Sequence, residues 1–158
     1  FGLFKPKDPI LGSDFAGIVE EVGSEVKSFK IGDHVFGENL GGAFAEYCLA
    51  TENIIAKIPA SQSFESMAAL PIAGLTAYQA LLEHGNLKPG EKVLINGASG
   101  GVGHFAIQIA KAHGAVVSAI CSSRNKDFVK SLGADEVIPY NEVDLSKYSK
   151  QHDLLLVL

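Results

Sequence analysis

The apolar residues in the first third of the chain fall in short runs that alternate with polar residues. Between Asp14 and Pro59 these runs read FAGIVEEVG, DHVFGE, AFAEYCLA and NIIAKI, and turns that contain glycine separate them. Alternation with a period of two is typical of strands that bury one face. The pattern therefore predicts a small antiparallel β unit built from these runs.

From Ser63 onward the apolar spacing lengthens and predicts helices that alternate with strands. Ser63, with Ser66 and Glu65 nearby, can open a helix. The segment MAALPIAGLTAYQALLEHG continues at helical spacing, with a break or kink at Pro71 and an end near Gly85. The pattern then predicts a strand at 92–96, a helix at about 101–113, a strand at 115–121, a helix at 125–133, and strands at 136–140 and 153–158. Such alternation predicts a parallel sheet with right-handed crossovers.

Composition and charge narrow the class of protein. The 158 residues are 47% hydrophobic, include 17 glycines and carry a formal net charge of -5, which fits an α/β chain with a core and does not fit disorder. Without a block of Lys or Arg there is no electrostatic reason to expect nucleic acid, and no apolar run is long enough to span a membrane. Cys48 and Cys121 are far apart, so we expect no disulfide framework, no cysteine zinc site and a reducing, cytoplasmic compartment.

The two ends of the chain predict that it is a fragment of a longer protein. The sequence opens with FGLFKPKDPILGSDF, without an initiator methionine, and it stops inside the apolar run HDLLLVL. That run resembles a buried strand with nothing after it.

The stretch LINGASGGVGHFAIQIAK, residues 94–111, places small residues between a predicted strand and a predicted helix. Read from Ala98, the turn is A-S-G-G-V-G, the G-x-G-x-x-G spacing with alanine in the first place. Small residues let the backbone approach a pyrophosphate, Gly103 lets the helix pack close to the strand, and free N–H groups of the first turn point at the anion. The alternative is a turn with only a structural role. The predicted phosphate-binding residues are Ala98, Ser99, Gly100, Gly101 and Val102.

The segment CSSRNK, after the next predicted strand, determines which dinucleotide is expected. In NAD sites an acidic residue about 20 positions after the turn binds the ribose hydroxyl. This chain has Ser122, Ser123 and Arg124 there, and no carboxylate before Asp127. Hydroxyl groups and a guanidinium suit a 2'-phosphate, which a carboxylate would repel, so we predict NADPH rather than NADH. The alternative is that Arg124 is a solvated residue near the start of a helix.

Several blocks of the sequence, in order and spacing, carry a family resemblance. The blocks GSDFAGIVEEVGSEVKSFKIGDHVFG, LPIAGLTAYQAL, GASGGVGHFAIQIAK and SLGADEVIPY resemble the medium-chain dehydrogenase/reductase superfamily, in particular its zinc-free quinone oxidoreductase branch. The segment CSSRNKDFVKSLGADEVIPY is similar to NADPH-dependent enone and quinone reductases of the chloroplast-envelope type. The resemblance covers nearly the whole chain.

The resemblance implies a fold and a cofactor site. It implies a portion of a GroES-like catalytic domain at 1–62, then linker helices and the first half of an NADP-binding Rossmann domain at 63–158, with the nicotinamide between the domains. Thr76 would lie by the nicotinamide, Gly101 and Val102 would donate N–H groups to the pyrophosphate, and Ser122 and Arg124 would hold the 2'-phosphate. Tyr140 would flank the adenosine, although Pro139 before it departs from the usual V-I-D-Y. We also expect a homodimer.

The same resemblance predicts that the chain holds no metal. Zinc alcohol dehydrogenases carry Gly-His-Glu where this chain reads Gly12, Ser13, Asp14, and a cysteine where it has Ala73. Serine and alanine are not useful zinc ligands. Without zinc an alcohol oxygen is not polarised, so hydride transfer from NADPH to an electron-poor carbon remains.

We therefore expect a small-molecule acceptor, either a quinone or the C=C bond of an α,β-unsaturated carbonyl. Two alternatives stay open: an enoyl-thioester reductase, and an NADPH-binding sensor or structural protein without catalysis. The proton donor is not identified. Tyr47 and Tyr78 have suitable hydroxyl groups, but both lie in patterns that are more typical of packed aromatic residues.

Overall fold

The computed structural model describes residues 10–145, 148 and 151–158. The residues form two units, Phe1–Ile72 and Ala73–Leu158. The expected division into domains at 62/63 stays a prediction. No helix among the described residues is both long and apolar enough to cross a membrane.

The first unit contains a three-stranded antiparallel sheet in the order β1-β2-β3. Its strands are β1 (Asp14–Ile18), β2 (His34–Glu38) and β3 (Ile55–Lys57), and a 3-10 turn at Glu52–Ile54 leads into β3. Helix α1 (Phe64–Ala68) follows, and the side chain of Ser63 accepts a hydrogen bond from the Ser66 N–H, as the capping pattern predicts. The prediction of a small antiparallel β unit is therefore confirmed.

One of the four alternating runs is not a strand. Residues 43–50 have no regular secondary structure, although their alternation is typical of a strand. Phe44, Tyr47 and Leu49 are exposed to 77%, 76% and 92%, so the alternating apolar residues have no face of the sheet to pack against. The expected strand over this run is wrong: Ala43 and Phe44 donate backbone hydrogen bonds to the Gly12 and Leu11 carbonyls, but residues 45–50 continue no such ladder among the described residues, and alternation alone supplies no pairing partner.

The helical segment after α1 is broken, as Pro71 predicts. Helix α2 (Pro71–Tyr78) begins at this proline, and a π-helical segment follows at Gln79–His84. This segment ends at Gly85, whose N–H donates to the Ala80 carbonyl at 3.0 Å. Proline is tolerated at a helix start because its missing N–H would have no partner there.

The second unit contains a four-stranded parallel sheet in the order β6-β5-β4-β7. Its elements are β4 (Lys92–Asn96), α3 (Gly103–Ala112), β5 (Val116–Cys121), α4 (Lys126–Ser131), β6 (Glu136–Pro139) and β7 (Leu154–Val157), with a 3-10 turn at Ser123–Asn125. The predicted parallel sheet and its alternating helices are confirmed. Crossovers run from β4 through β5 to β6, and the chain then returns to the other side of β4. This reversal of strand order is a topological switch point, where α/β sheets bind ligands at the carboxyl ends of their strands.

The main core lies between this sheet and its helices. Val93 and Ile95 of β4 and Val117 of β5 are fully buried there, together with Ile107 of α3 and Val129 of α4. Burying each such aliphatic side chain contributes about 1.5–3 kcal/mol. The alternate positions Leu94, Ile120 and Ile138 form a second, smaller cluster. The sheet is therefore apolar on both faces, as a buried parallel sheet requires.

Asp135 connects α3 to β5 through its carboxylate. It accepts hydrogen bonds from Lys111 Nζ at 2.9 and 2.8 Å and from the Val117 N–H at 2.7 Å. Burial by itself would raise the pKa of Asp135, but these bonds and the Lys111 charge outweigh it, so the pKa lies below its ordinary value.

We expect Asp135→Asn to lower the free energy of unfolding by about 1 kcal/mol near pH 7, because the carboxylate is 41% exposed and solvent screens the ion pair. A carboxylate with a lowered folded-state pKa stabilises above its unfolded pKa. This stabilisation is therefore complete well above pH 3.8, the ordinary value, and it is lost as the pH falls through the lowered pKa. Urea unfolding at pH 7 and pH 3 measures the difference, which should shrink at pH 3. Glu83→Gln, at an exposed position, is the control and should change stability little at either pH.

Candidate functional site

The glycine-rich turn lies directly after β4, at the carboxyl end of the parallel sheet. Gly97 has a φ of +83°, a left-handed conformation that glycine adopts without a steric penalty. The Ala98 N–H donates to the Ile120 carbonyl at 3.0 Å, and the Gly100 N–H donates to the Gly97 carbonyl at 2.9 Å. These two bonds close the turn and fix it to the end of β5.

The start of α3 leaves backbone donors without partners. Within the described part of the chain, the N–H groups of Gly101 and Val102 donate to no protein acceptor, and the Val102 side chain does not cap the helix. A Cβ added at Gly101 would meet no atom within 4 Å, so no neighbouring group crowds the turn on the side where a side chain would lie. Free N–H groups at the positive end of a helix dipole form a binding site for an anion such as a phosphate.

Gly103 is the point where α3 approaches the turn most closely. A Cβ added there would lie 2.2 Å from the Gly97 carbonyl oxygen and 2.7 Å from Ala98 Cα. Both contacts involve backbone atoms, and Ala98 is fully buried. Gly103 therefore allows a close approach, and the atoms that α3 approaches belong to the turn directly after β4.

The loop after β5 is joined to the glycine-rich turn by a side-chain hydrogen bond. Asn125 Nδ2 donates to Ser99 Oγ at 2.9 Å, which holds the CSSRNK segment beside the predicted phosphate-binding turn. Ser122 Oγ is buried and has no hydrogen-bond partner within the described residues. A buried hydroxyl without a partner is costly, and a ligand oxygen would satisfy it. Arg124 is exposed and, among the same residues, forms no ion pair.

The turn after β6 contacts the same loop. Asn141 Oδ1 accepts from the Ser123 N–H at 3.0 Å and from Ser123 Oγ at 2.9 Å. Glu142 makes a short contact with the same Ser123 Oγ, so the single hydroxyl proton is shared between the amide and the carboxylate acceptor. The other carboxylate oxygen of Glu142 lies 2.7 Å from Lys126 Nζ. Lys126 first, and Ser123 second, hold the pKa of Glu142 below its ordinary value.

Four residues of this edge are not among the predicted site residues: Asn125, Lys126, Asn141 and Glu142. Asn141 and Glu142 come directly after a predicted strand of the parallel sheet, and polar residues at the carboxyl end of such a strand are a signal that points to this edge. The hydrogen-bonded partners of these four residues, however, are 16 to 26 residues away in the chain. No periodicity in the sequence indicates those pairs.

Two further predicted site residues lie in different environments. Tyr140 is 55% exposed, and its N–H donates to the Cys121 carbonyl at 3.1 Å. It therefore lies at the same edge as the CSSRNK segment, residues 121–126, which we call the Ser122 loop. Thr76 is exposed on α2, and none of its contacts in the described residues joins it to the glycine-rich turn. The structure thus brings together Ser99, Ser122, Arg124 and Tyr140 at one edge of the sheet but does not connect Thr76 to them.

Ser13 stands at one of the two positions that the family resemblance relates to zinc ligands. Ser13 precedes Asp14, whose Oδ1 accepts a hydrogen bond from the Ile72 N–H at 3.1 Å. Burial raises the pKa of Asp14, and this hydrogen bond lowers it by less. No group of three His, Cys, Asp or Glu side chains in the described ranges has an arrangement that could hold a metal ion.

The two tyrosines considered as proton donors are not core residues of this chain. Tyr47 is exposed to 76%, so the expectation of a packed aromatic is wrong for it, whereas Tyr78 is exposed to 46% and is about half packed. Tyr47 lies in the irregular segment 43–50, and Tyr78 ends α2.

Two family models match the chain. Residues 2–60 match the alcohol dehydrogenase GroES-like domain, and residues 101–153 match the zinc-binding dehydrogenase family. The two matches together cover more than half of the chain and fall on either side of α1 and α2.

Known relatives agree with these matches. The chain is 49% identical to the chloroplast envelope quinone oxidoreductase homolog of Arabidopsis thaliana, over 88% of this chain and 46% of that protein. It is 39% identical to a trans-enoyl reductase of Pyricularia oryzae, over 89% of this chain and 45% of that protein. The crystal structure of Escherichia coli quinone oxidoreductase complexed with NADPH superposes with a TM-score of 0.83 and 38% identity, over 94% of this chain and 47% of that chain. The chain thus spans a little under half the length of the relatives it matches.

Proposed function

Since this chain belongs to the medium-chain dehydrogenase/reductase superfamily, we propose that it is the cofactor-binding part of an NADPH-dependent oxidoreductase. The observation that carries the proposal is the hydrogen bond from Asn125 Nδ2 to Ser99 Oγ at 2.9 Å. It joins the turn with free N–H groups to the loop with Ser122 and Arg124. One edge of the sheet therefore offers hydrogen-bond donors both for the pyrophosphate and for the 2'-phosphate of a single dinucleotide.

The residues at this edge fit NADPH chemically. We propose that the N–H groups of Gly101 and Val102 bind the pyrophosphate, because they have no acceptor among the described residues and no neighbouring group crowds the turn on the side where a Gly101 side chain would lie. Ser122 Oγ, which is buried without a partner, and the Arg124 guanidinium would bind the 2'-phosphate. The Tyr140 ring, which is half exposed, would flank the adenosine.

The bound cofactor would supply the hydride, and this chain would bind and orient it. Thr76 would contact the nicotinamide, as the family resemblance implies. We propose that the reaction needs no zinc, because Ser13 and Ala73 occupy positions where zinc enzymes of the superfamily have ligands, and neither side chain is a useful zinc ligand. The acceptor would then be a quinone or the C=C bond of an α,β-unsaturated carbonyl.

A second candidate activity is the reduction of an enoyl thioester. The 39% identity to a trans-enoyl reductase favours it, since the same turn and the same cofactor serve both activities. A preference for acyl thioesters over free enones would distinguish this activity from the first. The homodimer stays a prediction. The cytoplasmic location also stays a prediction, since the Arabidopsis relative is named after the chloroplast envelope.

We expect the protein to oxidise NADPH in the presence of at least one acceptor from a panel of quinones, enones and enoyl thioesters. The rate should not change after treatment with a metal chelator, because no step is assigned to a metal. Absorbance at the nicotinamide band measures both results. Tight NADPH binding without oxidation by any acceptor would contradict the enzyme proposal and favour a binding protein. Loss of activity in the chelator would contradict the zinc-free reaction.

A further inference from the structure

Glu142 is a carboxylate within the group of residues that would recognise the 2'-phosphate. One of its oxygens accepts a short hydrogen bond from Ser123 Oγ, and the other lies 2.7 Å from Lys126 Nζ. Ser123 directly follows Ser122, whose buried Oγ has no partner among the described residues. The carboxylate therefore accepts hydrogen bonds from the Ser123 hydroxyl and the Lys126 ammonium group, which lie next to the proposed phosphate ligands.

The charges around this loop oppose each other. Arg124 and Lys126 are the cations of the segment, but Glu142 pairs with Lys126 and neutralises it. Asn141 and Glu142 also share the Ser123 hydroxyl. A phosphate dianion at Ser122 would thus gain the free charge of Arg124 but would also experience repulsion from Glu142. A ribose with two hydroxyl groups would not experience that repulsion.

We propose that Glu142 is a specificity-determining residue that limits the preference of this site for NADPH over NADH. The carboxylate holds Lys126 and Ser123 in place of a phosphate, and its charge selectively weakens the binding of a cofactor with a 2'-phosphate. The inference rests on the proposed function, because it requires that the 2'-phosphate binds at Ser122 and Arg124.

The Glu142→Gln substitution tests this inference, because the amide keeps the shape and one of the two acceptor oxygens but removes the charge that pairs with Lys126. We expect NADPH to bind about three- to tenfold more tightly to E142Q, and NADH to bind equally well to E142Q and to the wild type. Fluorescence titration measures the affinities for NADPH and NADH, and displacement of the bound cofactor by adenosine 2',5'-bisphosphate or by AMP measures the effect at the adenosine end. The gain should shrink as the salt concentration rises, since the carboxylate is 47% exposed.

Glu136→Gln is the matched control. Glu136 begins the same strand, β6, and accepts a hydrogen bond from Ser118 Oγ at 2.9 Å, but it lies at the opposite end of the sheet. Its substitution removes one negative charge and should leave the ratio of NADPH to NADH affinities unchanged. Thermal unfolding checks that each variant folds, and E142A serves as a second variant if E142Q does not.

The outcomes distinguish failure of this inference from failure of the proposed function. If the wild-type protein binds neither NADPH nor adenosine 2',5'-bisphosphate, the proposed function is wrong. If the wild type prefers NADPH through Arg124 and E142Q shows the same ratio of affinities, only the role of Glu142 is wrong. Weaker binding of both cofactors to E142Q would assign Glu142 a purely structural role and overturn the inference.

Discussion

Replacing Gly103 by alanine is expected to lower the free energy of unfolding by about 3 kcal/mol or more. The added Cβ would lie 2.2 Å from the Gly97 carbonyl oxygen and 2.7 Å from Ala98 Cα, so no side-chain rotation can relieve the clash. Alanine favours helices over glycine by about 1 kcal/mol, which is too little to offset the displacement of α3 from the turn. Urea unfolding of the wild type and of Gly103→Ala measures the loss.

Gly101→Ala is the matched control, two residues earlier in the same turn. A Cβ at Gly101 meets no atom within 4 Å, and the φ of Gly101 is not in the left-handed region. The free energy of unfolding of Gly101→Ala should therefore differ from that of the wild type by less than about 1 kcal/mol. The methyl group would instead project into open space at the turn proposed to bind the pyrophosphate, and NADPH should bind more weakly because its phosphates would lie farther from the backbone. Equal stability of the two variants would contradict the close approach at Gly103.

The sequence predicts the parallel sheet well because its strands are continuous apolar runs with clear limits. The strand expected at 92–96 matches β4, residue for residue, since Val93, Leu94 and Ile95 are all buried and polar residues stand on either side. The segment 43–50 has the opposite character. Its alternation is a local property, whereas a strand also needs a partner, and the sequence carries no signal for that partner.

The same difference separates the predicted from the unpredicted parts of the candidate site. The glycine-rich turn depends on backbone conformation and on the absence of side chains, and both properties are visible in the order of the residues. The contacts of Asn125 with Ser99 and of Glu142 with Lys126 depend on the meeting of loops from different strands. Such side-chain pairs follow from the strand order β6-β5-β4, so the fold must be known before they can be identified.

Arg124→Ala is expected to weaken NADPH binding by about 10- to 100-fold and to leave NADH binding nearly unchanged. The guanidinium is exposed, and within the described residues it forms no ion pair, so it is available to a ligand without the loss of a protein contact. One charge-assisted hydrogen bond contributes about 1.5–3 kcal/mol, which corresponds to this change in affinity. Because NADH has no 2'-phosphate, the substitution should act on NADPH alone. Fluorescence titration with both cofactors measures the ratio.

Lys88→Ala is the control for a general effect of positive charge on cofactor binding. Lys88 is exposed in the turn before β4, at the amino end of the strand, whereas Arg124 follows the carboxyl end of β5. If both substitutions weaken NADPH binding equally, the attraction is a property of the whole surface and not of the Ser122 loop. If Arg124→Ala leaves NADPH affinity unchanged, the CSSRNK segment does not bind the 2'-phosphate. A loss confined to Arg124→Ala and to NADPH would assign the 2'-phosphate to this loop, because only a local contact with that group has both properties.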